Sequence, residues 1–571
     1  MGKEEGQRSN VALVPLSEWV VGDIDTTLFF VLSAAGLVLL VAAANVAGLA
    51  FSRAAVRERE LAVRTAMGAG RGRLLRQLLT ESGVVAVLAG TAGAALAWLM
   101  LGTLLQLAPP GLPRSANVGM STTALVFALG ATAFSGFVFG ALPAWRASRI
   151  DLATGLSGGR GSSGSRRALL PQQVLVTFQV ALCVVLLTGA TLLVGSFAKL
   201  TGVDTGFDAE SVVVATIAPP EARYQTAAEL NTFYEDLLTR VRSLPGVSHA
   251  TTTYSAPLFG TYFSTTVVPE GTEEDDANQH WVGTVIIRDG YFETNSVPLL
   301  KGRDFAPSDR LGEPLVVIVN QTLADDLWPD GSVIGRRMQY TGGLMGSADS
   351  FDPEFFPDSW MTVVGVAGDV RRESLSDVPK PEYYRPHSQI TWGFQYLMVR
   401  ADSDPSAVAS LIREAVWSID SSVPVREVRT MDAQVAESVA TPRFRMILLA
   451  AFAGITCLLS MVGLYALLAL AVTRRTREMG IRLALGARRS EVMRGVLARG
   501  LRLVFYGTLL GVGAAFLSSR ALSSMLFEVE STDPATYAAV VLLLASVAVV
   551  ACYLPARRAG RVDPVVSLQE E

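Results

Sequence analysis

The sequence predicts an α-helical membrane protein made of two copies of one transmembrane unit, with about seven spans and a folded α+β domain outside the membrane. Three observations predict it. Half of the 571 residues are apolar, only 18% are charged, and the apolar residues gather into long runs. The stretch Arg477-Glu-Met-Gly-Ile-Arg-Leu-Ala-Leu-Gly-Ala487 has an earlier copy, Arg59-Glu-Leu-Ala-Val-Arg-Thr-Ala-Met-Gly-Ala69, each between two apolar runs. A second echo follows in the same order, Leu142–Ala147 against Leu554–Ala559, so the chain holds two copies of one structural unit.

The apolar runs cover 27–50, 83–108, 123–145, 173–197, 446–472, 502–526 and 535–554. About 20 helical residues at 1.5 Å each cross a hydrocarbon core of about 30 Å. Orientation follows from the arginines. Arg53 to Arg76, Arg146 to Arg167, Arg474 to Arg499 and Arg557 to Arg561 crowd alternate flanks, whereas 109–122 carries only Arg114 and 527–534 carries no base. Basic flanks stay in the cytoplasm, so the tail lies inside and residues 198–443 lie outside. Gly155–Ser165, rich in Gly and Ser, reads as a flexible cytoplasmic linker between the halves.

The outer region mixes helices and strands. Thr226-Ala-Ala-Glu229 is a capping box, and Leu230, Phe233, Tyr234, Leu237, Leu238 and Val241 then share one helical face. Asp404-Pro405 starts a second helix with Val408, Leu411, Ile412, Ala415 and Ile419 on one face. Strand-like runs fall at 211–217, 247–254, 282–287, 315–319, 361–366 and 395–399, which predicts sheet layers with helices on one face. Residues 339–359 read as a surface loop and Glu273–Asp276 as a solvated turn.

The repeated cytoplasmic stretch reads as helix, glycine break, helix at the inner membrane surface. Glu60 and Arg64, like Glu478 and Arg482, stand four apart and can pair. Gly68 and Gly486 then act as helix stops. The second helix carries Leu74, Leu75, Leu78 and Leu79 in one copy and Val492, Val496 and Leu497 in the other. Periodicity alone leaves two readings open: basic interfacial helices on anionic membrane lipid, or a docking surface for a cytoplasmic protein.

Taken together, these motifs resemble permeases of the MacB/FtsX family of ABC transporters, in particular their duplicated orphan branch. Tyr553-Leu-Pro-Ala-Arg-Arg-Ala559, Thr532-Asp-Pro534 and Val562-Asp-Pro564 fit as well, and Tyr291-Phe292, Gly302-Arg-Asp-Phe305, Val319-Asn320 and Val363-Val-Gly-Val366 are similar to the family's periplasmic core domain. The resemblance implies two FtsX-like units, 27–150 and 444–571, joined by a cytoplasmic linker, 151–171, and a span, 172–197, with a MacB-like periplasmic core domain at 198–443. Residues 1–26 resemble the end of a first outer domain, so the first span and most of that domain are expected to be missing. The resemblance further implies a bacterial inner-membrane protein whose Glu60, Arg64, Gly68, Glu478, Arg482 and Gly486 contact a MacB-type ABC ATPase subunit. ATPase motion would pass through the spans to the outer domain, in export or efflux. The alternative within the family is a signalling scaffold that regulates an envelope enzyme. A periplasmic adaptor or envelope protein is an implied further partner.

The chain itself lacks the chemistry of an enzyme. None of Lys3, Lys199, Lys301 and Lys380 sits in Gly-x-x-x-x-Gly-Lys-[Ser/Thr], so ATP is expected on a separate subunit and no cofactor on this one. His249, His280 and His387 are scattered, Cys183, Cys457 and Cys552 all lie in apolar runs, and neither a metal site nor nucleic-acid binding is expected. Asn45 and Gln179 are polar groups inside spans, where such residues face a bundle interior and hydrogen-bond across helices. Gly136-x-x-x-Gly140 and Gly507-x-x-x-Gly511 allow close helix contact, either inside one unit or at the seam between halves.

Overall fold

The computed structural model describes residues 24–56, 71–109, 119–147, 162–260, 263–272, 278–310, 312–343, 346–347, 360–390, 393–402 and 404–560. They divide into two units, one from Leu200–Ala440 and one from the residues on either side.

The flanking unit is helical: α1 Ile24–Val56, α2 Arg71–Leu107, α3 Thr122–Ala147, α4 Ser162–Thr201, and later α10 Ala440–Thr473, α11 Thr476–Ala484, α12 Arg489–Leu522 and α13 Pro534–Ala559. Among the described residues six helices are long and apolar enough to cross a membrane. The run expected at 123–145 lies in α3, of which Thr122–Phe134 is apolar helix among the residues whose side chains are described; those from 135 on lie outside that set. Leu88, Trp98, Leu99, Phe127, Leu509, Leu510, Leu517 and Leu542 are all exposed. Rows of exposed large apolar side chains on helices are the signature of a lipid-facing surface, and the unit is a membrane protein's.

Among the described residues two larger apolar clusters hold this bundle together. Ala34 of α1, Cys183 and Leu187 of α4, Leu449 of α10 and Val540 of α13 form one. Leu464 and Leu468 of α10, Val496 and Val504 of α12, and Cys552 and Ala556 of α13 form the other. Glycine sets how closely α12 approaches. A β-carbon at Gly507 would stand 2.7 Å from Val180 Cβ and 2.8 Å from the Thr177 carbonyl oxygen, and one at Gly511 would stand 2.6 Å from Val184 Cβ. The Gly507/Gly511 pair therefore packs on α4, whereas the side chains around Gly136 and Gly140 lie outside the described set. At the opposite end from the arginine flanks, Ser196 accepts the Phe527 N–H at 2.8 Å, Lys199 donates to the Glu528 carbonyl, and Asp533 caps α13.

Two expectations about helix ends change. The linker expected over 155–165 is entered by α4, which begins at Ser162. The amphipathic helix expected at the membrane surface after Gly486 is not separate from the following span. α12 runs unbroken for 34 residues, because no Pro occurs in it and Val492, Val496, Gly500, Val504, Gly507 and Gly511 continue one buried stripe.

Among the described residues the unit Leu200–Ala440 holds twelve strands: β1 Val212–Ile217, β2 Val247–Thr253, β3 Phe263–Pro269, β4 His280–Ile287, β5 Leu299–Gly302, β6 Val316–Asn320, β7 Arg337–Gly343, β8 Gly346–Ser347, β9 Trp360–Ala367, β10 Glu382–Pro386, β11 Gln395–Ala401 and β12 Val425–Thr430. Interleaved with them are α5 Ala227–Arg242, α6 Tyr291–Asn295, α7 Gln321–Leu327, α8 Pro405–Ile419 and α9 Met431–Ser438. Strands β10, β6, β9, β7, β3 and β4 pair in that order, and β10 also pairs with β4 in parallel, closing a ring. Its core gathers Val282, Ile286, Val317, Val319, Met338, Val363 and Tyr383. From β4 the sheet continues as β2, β11, β1 and β12. There Val213, Ala215 and Ile217 on alternate positions of β1 meet Phe233, Tyr234, Leu237 and Val241 of α5 and Val408 and Ile412 of α8. The capping box of α5 is present: Thr226 accepts the Glu229 N–H, and the Glu229 carboxylate accepts the Thr226 N–H.

Of the loop expected over 339–359, residues 339–343 and 346–347 are strand, because β7 pairs with β3 through Gly342 and Gly343 and with β8, and 344–345 and 348–359 lie outside the described residues. Glu273–Asp276 lie outside the described residues. Inside this unit the Arg372 guanidinium grips Glu382 at 2.9 and 3.1 Å and donates to the Ser255 carbonyl at 2.8 Å. Both side chains are buried. Burial opposes the Arg372 charge, and the Glu382 carboxylate and the ring hydroxyls of Tyr291 and Tyr384 more than offset it.

Candidate functional site

The elbow between α10 and α12 is built by local chemistry. Thr476 donates back to the Val472 and Thr473 carbonyls, tying the start of α11 to the end of α10. Glu478 pairs with Arg482 at 2.7 Å and with Arg475 at 3.7 Å. The helix stops at Leu485. Gly486 takes φ +94°, its N–H donates to the Leu483 carbonyl at 3.1 Å, and the Ala487 N–H donates to the Arg482 carbonyl at 3.0 Å. Those two bonds and the left-handed glycine make a Schellman stop, which a β-carbon would strain. The Glu491 carboxylate then accepts the Arg488 N–H at 3.1 Å as α12 begins.

One face of α11 is an anchor. Met479 is buried among Val492, Val496, Leu468 and Ala556. The other face is exposed, with Glu478, Arg482 and Ile481 on it. At the apex Leu485 is 82% exposed. An exposed helical ion pair contributes only about 0.3–0.5 kcal/mol to folding, so the Glu478–Arg482 pair is not what holds the elbow. Leu485 escapes a reading by periodicity, which follows helix faces; the available signal is a large apolar residue directly before a glycine stop, where no helix face remains to hide it. The first copy's Glu60, Arg64 and Gly68 lie outside the described residues, and so do the side chains of Leu74, Leu75, Leu78 and Leu79.

The polar residues of the spans form a second, separate group. Asn45 Nδ2 donates to the Leu459 carbonyl at 2.9 Å, and Gln172 Nε2 donates to the Gly48 carbonyl at 3.2 Å. Both bonds join α1 to another helix. Ser460 donates to the Gln179 carbonyl at 3.4 Å. The Gln179 side-chain oxygen is buried without a hydrogen-bond partner. It faces a cavity of about 10 Å³ lined by Asn45, Gly48, Gln172, Gln179 and Gly463, room for roughly one water. Cys183 and Cys457 are in side-chain contact nearby, and both are free thiols. Asn45 and Gln179 thus meet each other's surroundings, and neither meets the elbow.

The histidines fall in the strand-rich unit. His387 is buried, 3.0 Å from both Arg288 Nη2 and Asn231 Oδ1. His280 sits 3.0 Å from Asp326, and His249 stands 3.9 Å from Glu293.

Comparison with known proteins gives two families. Residues 32–152 and 450–564 match the FtsX-like permease C-terminal domain. Residues 174–415 match the MacB-like periplasmic core domain. Among relatives, the uncharacterized ABC transporter permease YknZ of Bacillus subtilis (strain 168) is 23% identical over 352 residues, covering 60% of this chain and 81% of that protein. The pyoverdine export ATP-binding/permease protein PvdT of Pseudomonas savastanoi pv. phaseolicola (strain 1448A / Race 6) is 33% identical over 281 residues, covering 48% of this chain and 40% of that protein. The macrolide export ATP-binding/permease protein MacB of Azoarcus sp. (strain BH72) is 27% identical over 287 residues, with the same two coverages, 48% and 40%. The chain therefore spans less than half the length of the MacB and PvdT relatives.

Proposed function

The chain belongs to the MacB/FtsX family of ABC transporter permeases, and from that premise we propose that it is the membrane subunit that carries the motion of a separate ABC ATPase across the bilayer. In this reading ATP binds the partner and not this chain. The two FtsX-like units sit in a bacterial inner membrane with the tail inside. The strand-rich unit, an α+β periplasmic core domain, lies outside. Its movement serves export or efflux, with a periplasmic adaptor as a further partner.

The observation that carries the proposal is the elbow. A large apolar side chain at the apex, Leu485, is 82% exposed beside a Glu478–Arg482 pair that contributes little to folding. Exposed apolar anchors ringed by charge are what a protein partner recognises. Met479 fixes the elbow to the bundle, and α12 continues from it as one rigid rod. A push on the apex therefore has a stiff path to the far end of the helix. Gly486 supports the same role by fixing the angle of the turn. By the repeat, Glu60, Arg64 and Gly68 serve the second partner subunit.

The experiment is ATPase stimulation by the reconstituted permease. Leu485→Asp, Glu478→Lys and Arg482→Glu should each abolish or sharply reduce stimulation while expression and thermal stability stay near those of the parent. Normal stimulation in all three, and in the matching reversals at Glu60 and Arg64, would remove the docking role.

A further inference from the structure

We infer that Asn45 and Gly463 are equivalent positions of the internal repeat that meet face to face, and that this contact is the seam by which the first half of the chain pairs with its own second half. The register comes from the sequence. Setting Arg59-Glu60 on Arg477-Glu478 and reading back without a gap places Gly36 on Gly454 and Asn45 on Gly463. The contact comes from the structure. A β-carbon at Gly463 would stand 2.7 Å from Asn45 Oδ1 and 2.6 Å from Gln179 Oε1. The Asn45 amide donates to the carbonyl of Leu459, one helical turn before Gly463.

When two copies of a unit pair around a twofold axis, only positions on the axis meet their own counterparts. Asn45 against Gly463 therefore marks where the pseudo-twofold axis passes between α1 and α10. The two residues have diverged into a knob and a hole. Asparagine on both sides would put two amides and the Gln179 oxygen into one space. Glycine on both sides would lose the Asn45 bond between the helices and leave a void beside the Gln179 oxygen, and helix pairing in a membrane rests on such interhelical bonds and close packing. The mixed pair fits, and either like pair is penalised, which is how a contact selects one partner over another. In this structure both members of the mixed pair belong to one polypeptide, so the partner is the chain's own other half.

Crosslinking tests this directly. In a chain with Cys183, Cys457 and Cys552 replaced by Ala and a protease site engineered into 155–161, Asn45→Cys is combined with Gly463→Cys. A second chain combines Asn45→Cys with Leu459→Cys and so keeps Gly463. The control pair, Leu40→Cys with Leu458→Cys, is also repeat-equivalent, but both side chains are exposed. After oxidation in membranes by copper phenanthroline and cleavage at the engineered site, at least one test pair should hold the two fragments together on a non-reducing gel. The control should fall apart. A band at twice the chain mass would assign the face to a second copy and overturn the inference. Separation of the fragments in both test pairs, or crosslinking of the control as efficient as theirs, would overturn it as well.

Discussion

Adding a single methyl group at Gly507 should separate packing from helix propensity on one helix. In Gly507→Ala the new carbon would lie 2.7 Å from Val180 Cβ and 2.8 Å from the Thr177 carbonyl oxygen. One neighbour is the carbonyl of α4 and the other is a β-carbon fixed to its backbone, so neither can rotate away. Relief requires α4 and α12 to part by about 1 Å, which forfeits roughly a quarter to a half of the dispersion at each contact along the seam. Overpacking of this kind costs about 1–3 kcal/mol, a factor of about 5 to 150 in the unfolding equilibrium. Gly513 supplies the matched control. It lies on the same helix with nothing within 4 Å of its missing β-carbon. Gly513→Ala should be neutral or stabilising by up to about 1 kcal/mol, the helix propensity gained. The assay is thermal unfolding of the purified protein in detergent. Equal midpoints for the two variants, or a more stable Gly507→Ala, would refute the claim that glycine sets the distance between α4 and α12.

Other perturbations should be equally selective. Arg372→Met should destabilise the strand-rich unit by about 3–5 kcal/mol by stranding a buried Glu382, whereas Arg372→Met with Glu382→Leu should recover most of the loss, as read by denaturant unfolding. The Ser422 hydroxyl and N–H, the Tyr224 hydroxyl and Arg223 hold the Asp420 carboxyl below the usual carboxylate range against the pull of burial. Its folded pKa is below its unfolded value, so its contribution is present above pH of about 4 and is lost as pH falls through the folded pKa. The gap in unfolding midpoint between the parent and Asp420→Asn should therefore be widest near neutrality and close in acid. Orientation can be read with single cysteines in a chain lacking the native three. An impermeant maleimide should label Val378→Cys, which is 79% exposed, on intact cells, and Leu485→Cys only after the membrane is opened; the reverse pattern would invert the proposed topology.

Much of the helical unit was legible because its signals are local. A run of apolar residues needs no partner to declare a span, and Glu478, Arg482 and Gly486 declare an ion pair and a stop within one helical turn or two. The capping box at Thr226 was readable for the same reason. Strands were caught only where they read as β-branched runs. The exposed β5 and the short β10, which carries Arg385 and Pro386, gave no such pattern, and their pairing depends on partners far along the chain. Glycine in β7 likewise looked like loop, because a sequence does not show the neighbouring strand that accepts it.

By itself, then, the sequence determined the repeat, the alternation of basic flanks, the elbow's hydrogen-bonding logic and the family to which the chain is similar, all of which follow from residues near one another or from copies of the same pattern. Tertiary structure decided what distance decides. It closed six strands into a ring, joined the amphipathic helix to its span, and set Gly507 and Gly511 against α4 rather than at the seam. It also left Leu485 exposed and set Asn45 against Gly463. A side chain's neighbours across a helix or sheet are set by how whole elements pack, and no count of residues along the chain contains that information.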